Sequence, residues 1–128
     1  MKKYISLLVI LISVITVISG LTQVVAPEFV LRFIGASVTV TSMHFFAIVG
    51  MFMALFGGMV LHAIYSAYPN DVAILWAAFQ KIGAFAAVSL GVFSEIFSPI
   101  AAGVAIFDLF SGLLFLYYLR NLRSREIH

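Results

Sequence analysis

Two charged residues of opposite sign lie inside strongly apolar stretches of this chain. Lys81 belongs to "WAAFQKIGAFA" and Asp108 to "AIFDLF". A charge in a hydrocarbon layer is costly, so it is expected to pair with another charge or to face a polar cavity. Gln80, directly before Lys81, adds a hydrogen-bonding amide. The chemistry available here is ion pairing, proton transfer or binding of a polar head group.

The depths of these residues predict that Lys81 and Asp108 pair. If the apolar stretch of Lys81 begins at Val72, Lys81 lies roughly 13 Å from one edge, at about 1.5 Å per residue. Asp108 lies roughly 12 Å from the opposite edge by the same calculation. In a hydrocarbon core about 30 Å thick, both are near the midplane. Glu95 lies about 21 Å farther along the same helix, so it is not the partner.

The sequence allows three interpretations of Lys81. The pair holds two helices together and has no further role, or it lines a polar cavity for a proton, an ion or a head group. In a third, Lys81 extends past Trp76 to the cytoplasmic surface.

A second set of polar residues is predicted at one level on the outer side of the membrane. Either these side chains form a small outward-facing pocket, in which the histidine would titrate near neutral pH, or they mark the water boundary. The set consists of Gln23, Glu28, Arg32, His44 and Glu95.

Composition places the chain in a bilayer. Of 128 residues, 64% are hydrophobic and 9% are charged, and the mean hydropathy is +1.20. Soluble domains carry about 25% charged residues. The net charge of +2 is small and scattered, so nucleic acid is not an expected partner. Cysteine is absent, which excludes disulfides and thiol chemistry, and no metal-ligand or catalytic motif is visible.

The apolar pattern predicts an all-α integral membrane four-helix bundle forming a single domain over residues 1–128. Spanning helices need about 20 apolar residues. The four predicted spans are Tyr4–Ala26, Ser42–Tyr65, Val72–Glu95 and Ile100–Leu119, with Pro99 in the first turn of the last.

A short interfacial helix is predicted between the first two spans. Pro27 and Glu28 suit a helix start, Gly35 suits a stop, and Glu28 and Arg32 have the favourable i, i+4 spacing. The alternative is an apolar loop. The first span could also be a cleaved signal peptide, but its long apolar run and the lack of an evident cleavage site favour a retained helix.

Charge and aromatic residues predict that both termini are cytoplasmic. Lys2, Lys3 and three arginines lie at the two ends of the chain, and Arg32 is the only basic residue expected outside. All the residues that favour the interface then fall near the cytoplasmic face: Tyr4, Tyr65, Tyr68, Trp76, Tyr117 and Tyr118.

Small residues at helical spacing predict which helices approach closely. The second span has Gly50, Ala54 and Gly58, and the third has Gly83, Ala87 and Gly91. The fourth has Ala101, Ala105, Asp108 and Gly112 in one sector, whereas the first span is bulkier apart from Ser13, Thr16, Ser19 and Gly20. We therefore expect the second, third and fourth spans to pack most closely.

The chain resembles the DoxX-like group of small bacterial membrane proteins. The resemblance lies in its four spans and length, the loop "APEFVLRFIGA" and the glycine-rich segment "HFFAIVGMFMALFGG". The family is named after a subunit of an archaeal thiosulfate:quinone oxidoreductase. The resemblance implies the four-span fold and a bacterial inner membrane. It supplies no catalytic motif, and the absence of cysteine argues against thiol-linked redox work.

The expected role is non-enzymatic: an accessory or anchor subunit, or a binder of a small lipophilic molecule such as a lipid or quinone. The alternative is a small proton-coupled transporter that uses Lys81 and Asp108. Membrane lipids are the expected contacts, with a soluble or membrane partner subunit, or a second copy of the chain, left open. No cofactor is expected unless quinone or lipid acts as one.

Overall fold

The computed structural model describes residues 2–66 and 71–127, with side chains described over 3–66 and 71–122. The described chain is helical throughout apart from short connections. The helices are α1 (Lys2–Val25), α2 (Pro27–Phe33), α3 (Val40–Tyr65), α4 (Asp71–Phe93) and α5 (Ala101–Ile127). Four of them, all except α2, are long and apolar enough to cross a membrane. The predicted all-α class is confirmed, and these helices indicate a multi-pass membrane protein.

The short helix predicted after the first span is present as α2. Ala26 precedes a proline and is not helical, which ends α1, and Pro27 occupies the first turn of α2. Gly35, with φ of 73°, ends α2 in a Schellman turn in which the Ala36 N–H donates to the Leu31 carbonyl. Leu31 and Ile34 are buried, whereas Phe29 and Phe33 are exposed.

Several helix ends differ from the predicted bounds. α3 begins before Ser42 because Thr39 and Ser42 form a reciprocal capping box, each side chain accepting from the other's backbone N–H at 2.9 Å. Pro99 lies in a turn rather than in α5, since the Ala102 N–H donates to its carbonyl at 3.0 Å. α5 continues through the polar tail, which contains no proline or glycine to stop it.

α4 ends in a turn of the same type as α2, but with a residue other than glycine. Glu95 has φ of 62°, and the Ile96 N–H donates to the Gly91 carbonyl at 2.9 Å. The Ser98 N–H then donates to the Ile34 carbonyl at 2.8 Å. This hydrogen bond joins the α4–α5 connection to the end of α2, and this end of the bundle is called the α2 end below.

The four long helices form two closely packed pairs, α1 with α3 and α4 with α5. Gly20 and Gly50 face each other across the first pair, where a Cβ on Gly20 would lie 2.7 Å from the Ala54 nitrogen. Gly112 meets Ala78 and Ile82 across the second pair. The predicted close packing of the second span with the third is therefore wrong, because α3 packs chiefly on α1.

The two pairs meet in a hydrophobic core at the end opposite α2. This core cluster contains residues from all four long helices, and Val9, Ile74 and Ala78 in it are fully buried. Toward the α2 end the pairs diverge and leave a cavity between them. The full core cluster is Val9, Ile12, Val60, Ala63, Ile74, Ala77, Ala78, Phe115, Tyr118 and Leu119.

Candidate binding cavity

Lys81 lies between the core cluster and the cavity. Its side chain extends from α4 into the bundle and is only 3% exposed. The ammonium Nζ lies 3.5 Å from Oδ1 of Asp108 on α5, so the predicted pair is formed. The interpretation in which Lys81 extends to the membrane surface is wrong, because its charge already has partners inside the bundle.

A closer partner of Lys81 comes from α1. The ammonium donates to Oγ1 of Thr16 at 2.6 Å, and Thr16 in turn donates to the Ile12 carbonyl at 2.9 Å. Lys81 therefore bridges the two helix pairs. Sequence reasoning noted Thr16 only as a small packing residue. A buried threonine bonded to its own helix gives no sequence signal for an outside donor, since most helical threonines make that same bond.

An aromatic ring completes the surroundings of the ammonium. The ring centroid of Phe107, the residue before Asp108, lies 5.5 Å from Lys81 Nζ. At this distance the face of a ring attracts a cation. The charge is thus held by a hydroxyl, a carboxylate and an aromatic ring from two helices.

The cavity next to Lys81 has a volume of about 620 Å³. Its walls are mainly apolar, and Val30 and Phe33 of α2 close it on one side. Most of its polar side chains lie toward the Lys81 end or along α1. These polar lining residues are Thr16, Ser19, Thr22, Gln23, Gln80, Lys81 and Asp108.

The cavity is not sealed from the surroundings of the bundle. Ile18 of α1 and Ile100 before α5 both line it, yet they are 59% and 52% exposed. Gly103 of α5 also lines it, and a Cβ at Gly103 would meet no atom within 4 Å. These three residues therefore border both the cavity and the outer surface of the bundle.

The five residues predicted to form an outer pocket do not converge. Arg32 pairs with Glu28 on the exposed surface of α2, with 2.6 Å between Nη2 and Oε1. His44 and Glu95 are exposed. Within residues 2–66 and 71–127, no hydrogen bond or ion pair joins any two of Arg32, His44 and Glu95. Side chains at the same depth in the membrane meet only if they lie on helix faces that point toward one another.

Gln23, unlike the other four residues predicted to form the outer pocket, lies inside the bundle. It is buried at 7% exposure and its Nε2 donates to the Phe46 carbonyl of α3 at 3.2 Å. It also lines the cavity, as does Gln80. Of the predicted site residues, the cavity thus brings together Gln23, Gln80, Lys81 and Asp108. Sequence analysis did not predict the three hydroxyl side chains of α1 that also line it, Thr16, Ser19 and Thr22.

In the part of the chain with described side chains, no group of three or more histidine, cysteine or acidic residues is arranged to hold a metal ion. Comparison with protein-family models, with curated proteins and with solved structures finds no match for this chain. The resemblance to the DoxX-like group therefore remains a prediction.

Proposed function

We propose that this protein binds a small lipophilic molecule, a lipid or a quinone, in the cavity between its two helix pairs, without catalysing a reaction. The observation that carries the proposal is the cavity itself, about 620 Å³ of mainly apolar lining with polar side chains along α1 and the Lys81–Asp108 pair at one end. Ligand sites in proteins are typically about 300–1,000 Å³ and combine apolar walls with a small number of placed polar groups.

The shape of the bundle favours a binder over the alternative, a small proton-coupled transporter. The core cluster lies on the far side of Lys81 from the cavity, and its side chains are almost fully buried. A carrier would need a route through this packed end, and all four long helices would have to separate there. A binder needs only the opening that the exposed lining residues already provide.

The proposal includes a setting for the protein. We place it in a bacterial inner membrane, as a DoxX-like protein with both termini in the cytoplasm, where the basic residues at both ends of the chain favour them. A role as an accessory or anchor subunit is compatible with ligand binding. In that case a partner protein would co-purify with the chain.

Filling the cavity entrance tests the proposal. Gly103 lines the cavity and has no atom within 4 Å of its Cβ position, so Gly103→Phe adds a large side chain to the lining with no obstruction at the Cβ. Gly83→Phe is the matched control, because Gly83 is also helical, exposed and unobstructed but does not line the cavity. The measurement is native mass spectrometry of protein purified from membranes, together with thermal shift on adding a short-chain quinone or a phospholipid.

We expect wild type and Gly83→Phe to retain a bound species or to be stabilised by an added one, and Gly103→Phe to lose that binding by at least about tenfold. Both substitutions replace a helical glycine, so their effects on helix stability are similar, up to about 1 kcal/mol. Equal binding by the two variants, or no binding by wild type, rejects the cavity as a ligand site.

A further inference from the structure

The ammonium of Lys81 has donor capacity left for a ligand. An ammonium carries three N–H donors. Thr16 accepts one at 2.6 Å, while the Asp108 oxygen is at 3.5 Å, long for a hydrogen bond between charged groups. Both Lys81 and Asp108 line the cavity. An acceptor atom entering the cavity can therefore take an N–H of Lys81 without displacing Thr16.

The carboxylate of Asp108 likewise has hydrogen-bond acceptor capacity left for a ligand. Among the residues with described side chains, its carboxylate is in polar contact with Lys81 alone. A carboxylate has room for several donors. A ligand hydroxyl at this position can accept from Lys81 and donate to Asp108 together.

The charges at this end of the cavity cancel. Lys81 contributes one positive charge and Asp108 one negative charge, and the other polar lining residues are uncharged. An anionic head group that approaches Lys81 must also face Asp108, and a cationic one that approaches Asp108 must face Lys81. Either ion would bring an uncompensated charge into an apolar site, which is unfavourable.

We infer that the ligand has an uncharged head group with a hydrogen-bond acceptor, a carbonyl or a hydroxyl, bound at Lys81 and Asp108. This inference rests on the proposed function and specifies its ligand class. The apolar part of the ligand lies along the cavity toward Val30 and Phe33 of α2. Lipids with charged head groups are excluded from this position, whereas quinones, esters and alcohols with apolar chains fit it.

Three probes with a twelve-carbon acyl or alkyl group and different head groups test the inference: methyl laurate, laurate and dodecyltrimethylammonium. Equilibrium binding of each radiolabelled probe is measured on purified protein in detergent at neutral pH, where the carboxyl group of laurate is ionised. Gly103→Phe supplies the background for each probe. We expect methyl laurate to bind at least about tenfold more tightly than either ion, since a charge within the membrane is strongly disfavoured.

For the variant Asp108→Asn we expect a different order of binding among the three probes. It leaves the Lys81 charge uncompensated, so the preference should turn toward laurate. If wild type binds the three probes equally, or binds an ion more tightly, the head-group inference is overturned while the cavity remains a ligand site. If wild type binds none of them above the Gly103→Phe background, the proposed function fails. The comparison of the three probes on wild type tests the head-group inference even if Asp108→Asn does not fold.

Discussion

Lys81 has partners on two helices, and each contributes a different kind of interaction. Asp108 compensates the charge, and Thr16 supplies the shortest hydrogen bond. A buried ion pair is weak evidence for net stability, because removing two charges from water offsets their attraction. Leaving one charge without its partner, in contrast, is strongly unfavourable. The pair is therefore expected to show coupling rather than a large stabilising effect.

Replacing each partner in turn measures this coupling. Lys81→Met and Asp108→Leu should each lower the free energy of unfolding by about 3–5 kcal/mol, because each leaves an unpaired buried charge. The double variant should lose less than the sum, since no charge remains. Thermal unfolding in detergent gives the three values, and simple additivity would show that the two side chains do not interact.

Thr16→Val tests the hydrogen bond to Lys81 with little change in shape. The loss of this acceptor should cost about 1–3 kcal/mol, the penalty for a buried charged donor deprived of its partner. Thr22→Val is the matched control. Thr22 also bonds to its own helix, at the Ile18 carbonyl, but its hydroxyl accepts from no described side chain. Equal losses in the two variants would mean that Thr16 contributes only to its own helix.

At the scale of the helices, small residues decide which pairs form. A Cβ on Gly57 would lie 2.8 Å from the Ser13 carbonyl oxygen of α1. The adjacent Gly58 has no atom within 4 Å of its Cβ position. The sequence pattern pointed to Gly58, at a step of four from Ala54, whereas the structure places Gly57 at the α1–α3 contact.

Leucine substitutions at these two neighbouring positions should therefore differ in their effects on stability. Gly57→Leu should destabilise the protein by about 1–3 kcal/mol, because the backbone of α1 must move to admit the side chain. Gly58→Leu should be neutral or stabilise the helix by up to about 1 kcal/mol. Thermal unfolding of the two variants against wild type checks the order, and a larger loss in Gly58→Leu would contradict the α1–α3 contact.

The sequence sufficed for the number of helices and for the match in depth of Lys81 and Asp108, because both follow from length and position along an apolar run. It could not identify which faces meet. Gly57 and Gly58 are adjacent and both fit a small-residue stripe, so the choice depends on helix rotation. The same limit explains why His44 and Glu95, predicted at one level, do not meet.

At the scale of the whole molecule, the cavity was also beyond sequence analysis. It arises where α1 with α3 and α4 with α5 diverge, so it is a property of two packed pairs rather than of any residue pattern. The apolar outer surface has a simpler origin. Large hydrophobic side chains such as Leu11, Phe52 and Leu113 are more than half exposed, as expected where lipid covers the protein.

The orientation of the bundle in the membrane is testable because the chain contains no cysteine. Single cysteines at Ser37 and Ser98 would report on the α2 end. Those at Asn70, which lies outside the described residues, and at Ser124, whose side chain is not described, would test the predicted cytoplasmic side. In intact cells we expect an impermeant thiol reagent to label Ser37→Cys and Ser98→Cys only, because the basic termini remain inside. Labelling of only the other two variants would invert the topology.

The contact between Lys81 and Thr16 also bears on how the protein is synthesised. A chain emerges from the ribosome N-terminal end first, so α1 and α3 are present before α4, and α5 comes last. Lys81 thus reaches the membrane before Asp108 does, because Asp108 belongs to the last helix to leave the ribosome. Thr16, on the helix that was inserted first, is already available as an acceptor for the ammonium. The earliest partner of this lysine is therefore a neutral hydroxyl, and its counter-charge arrives only with the final helix.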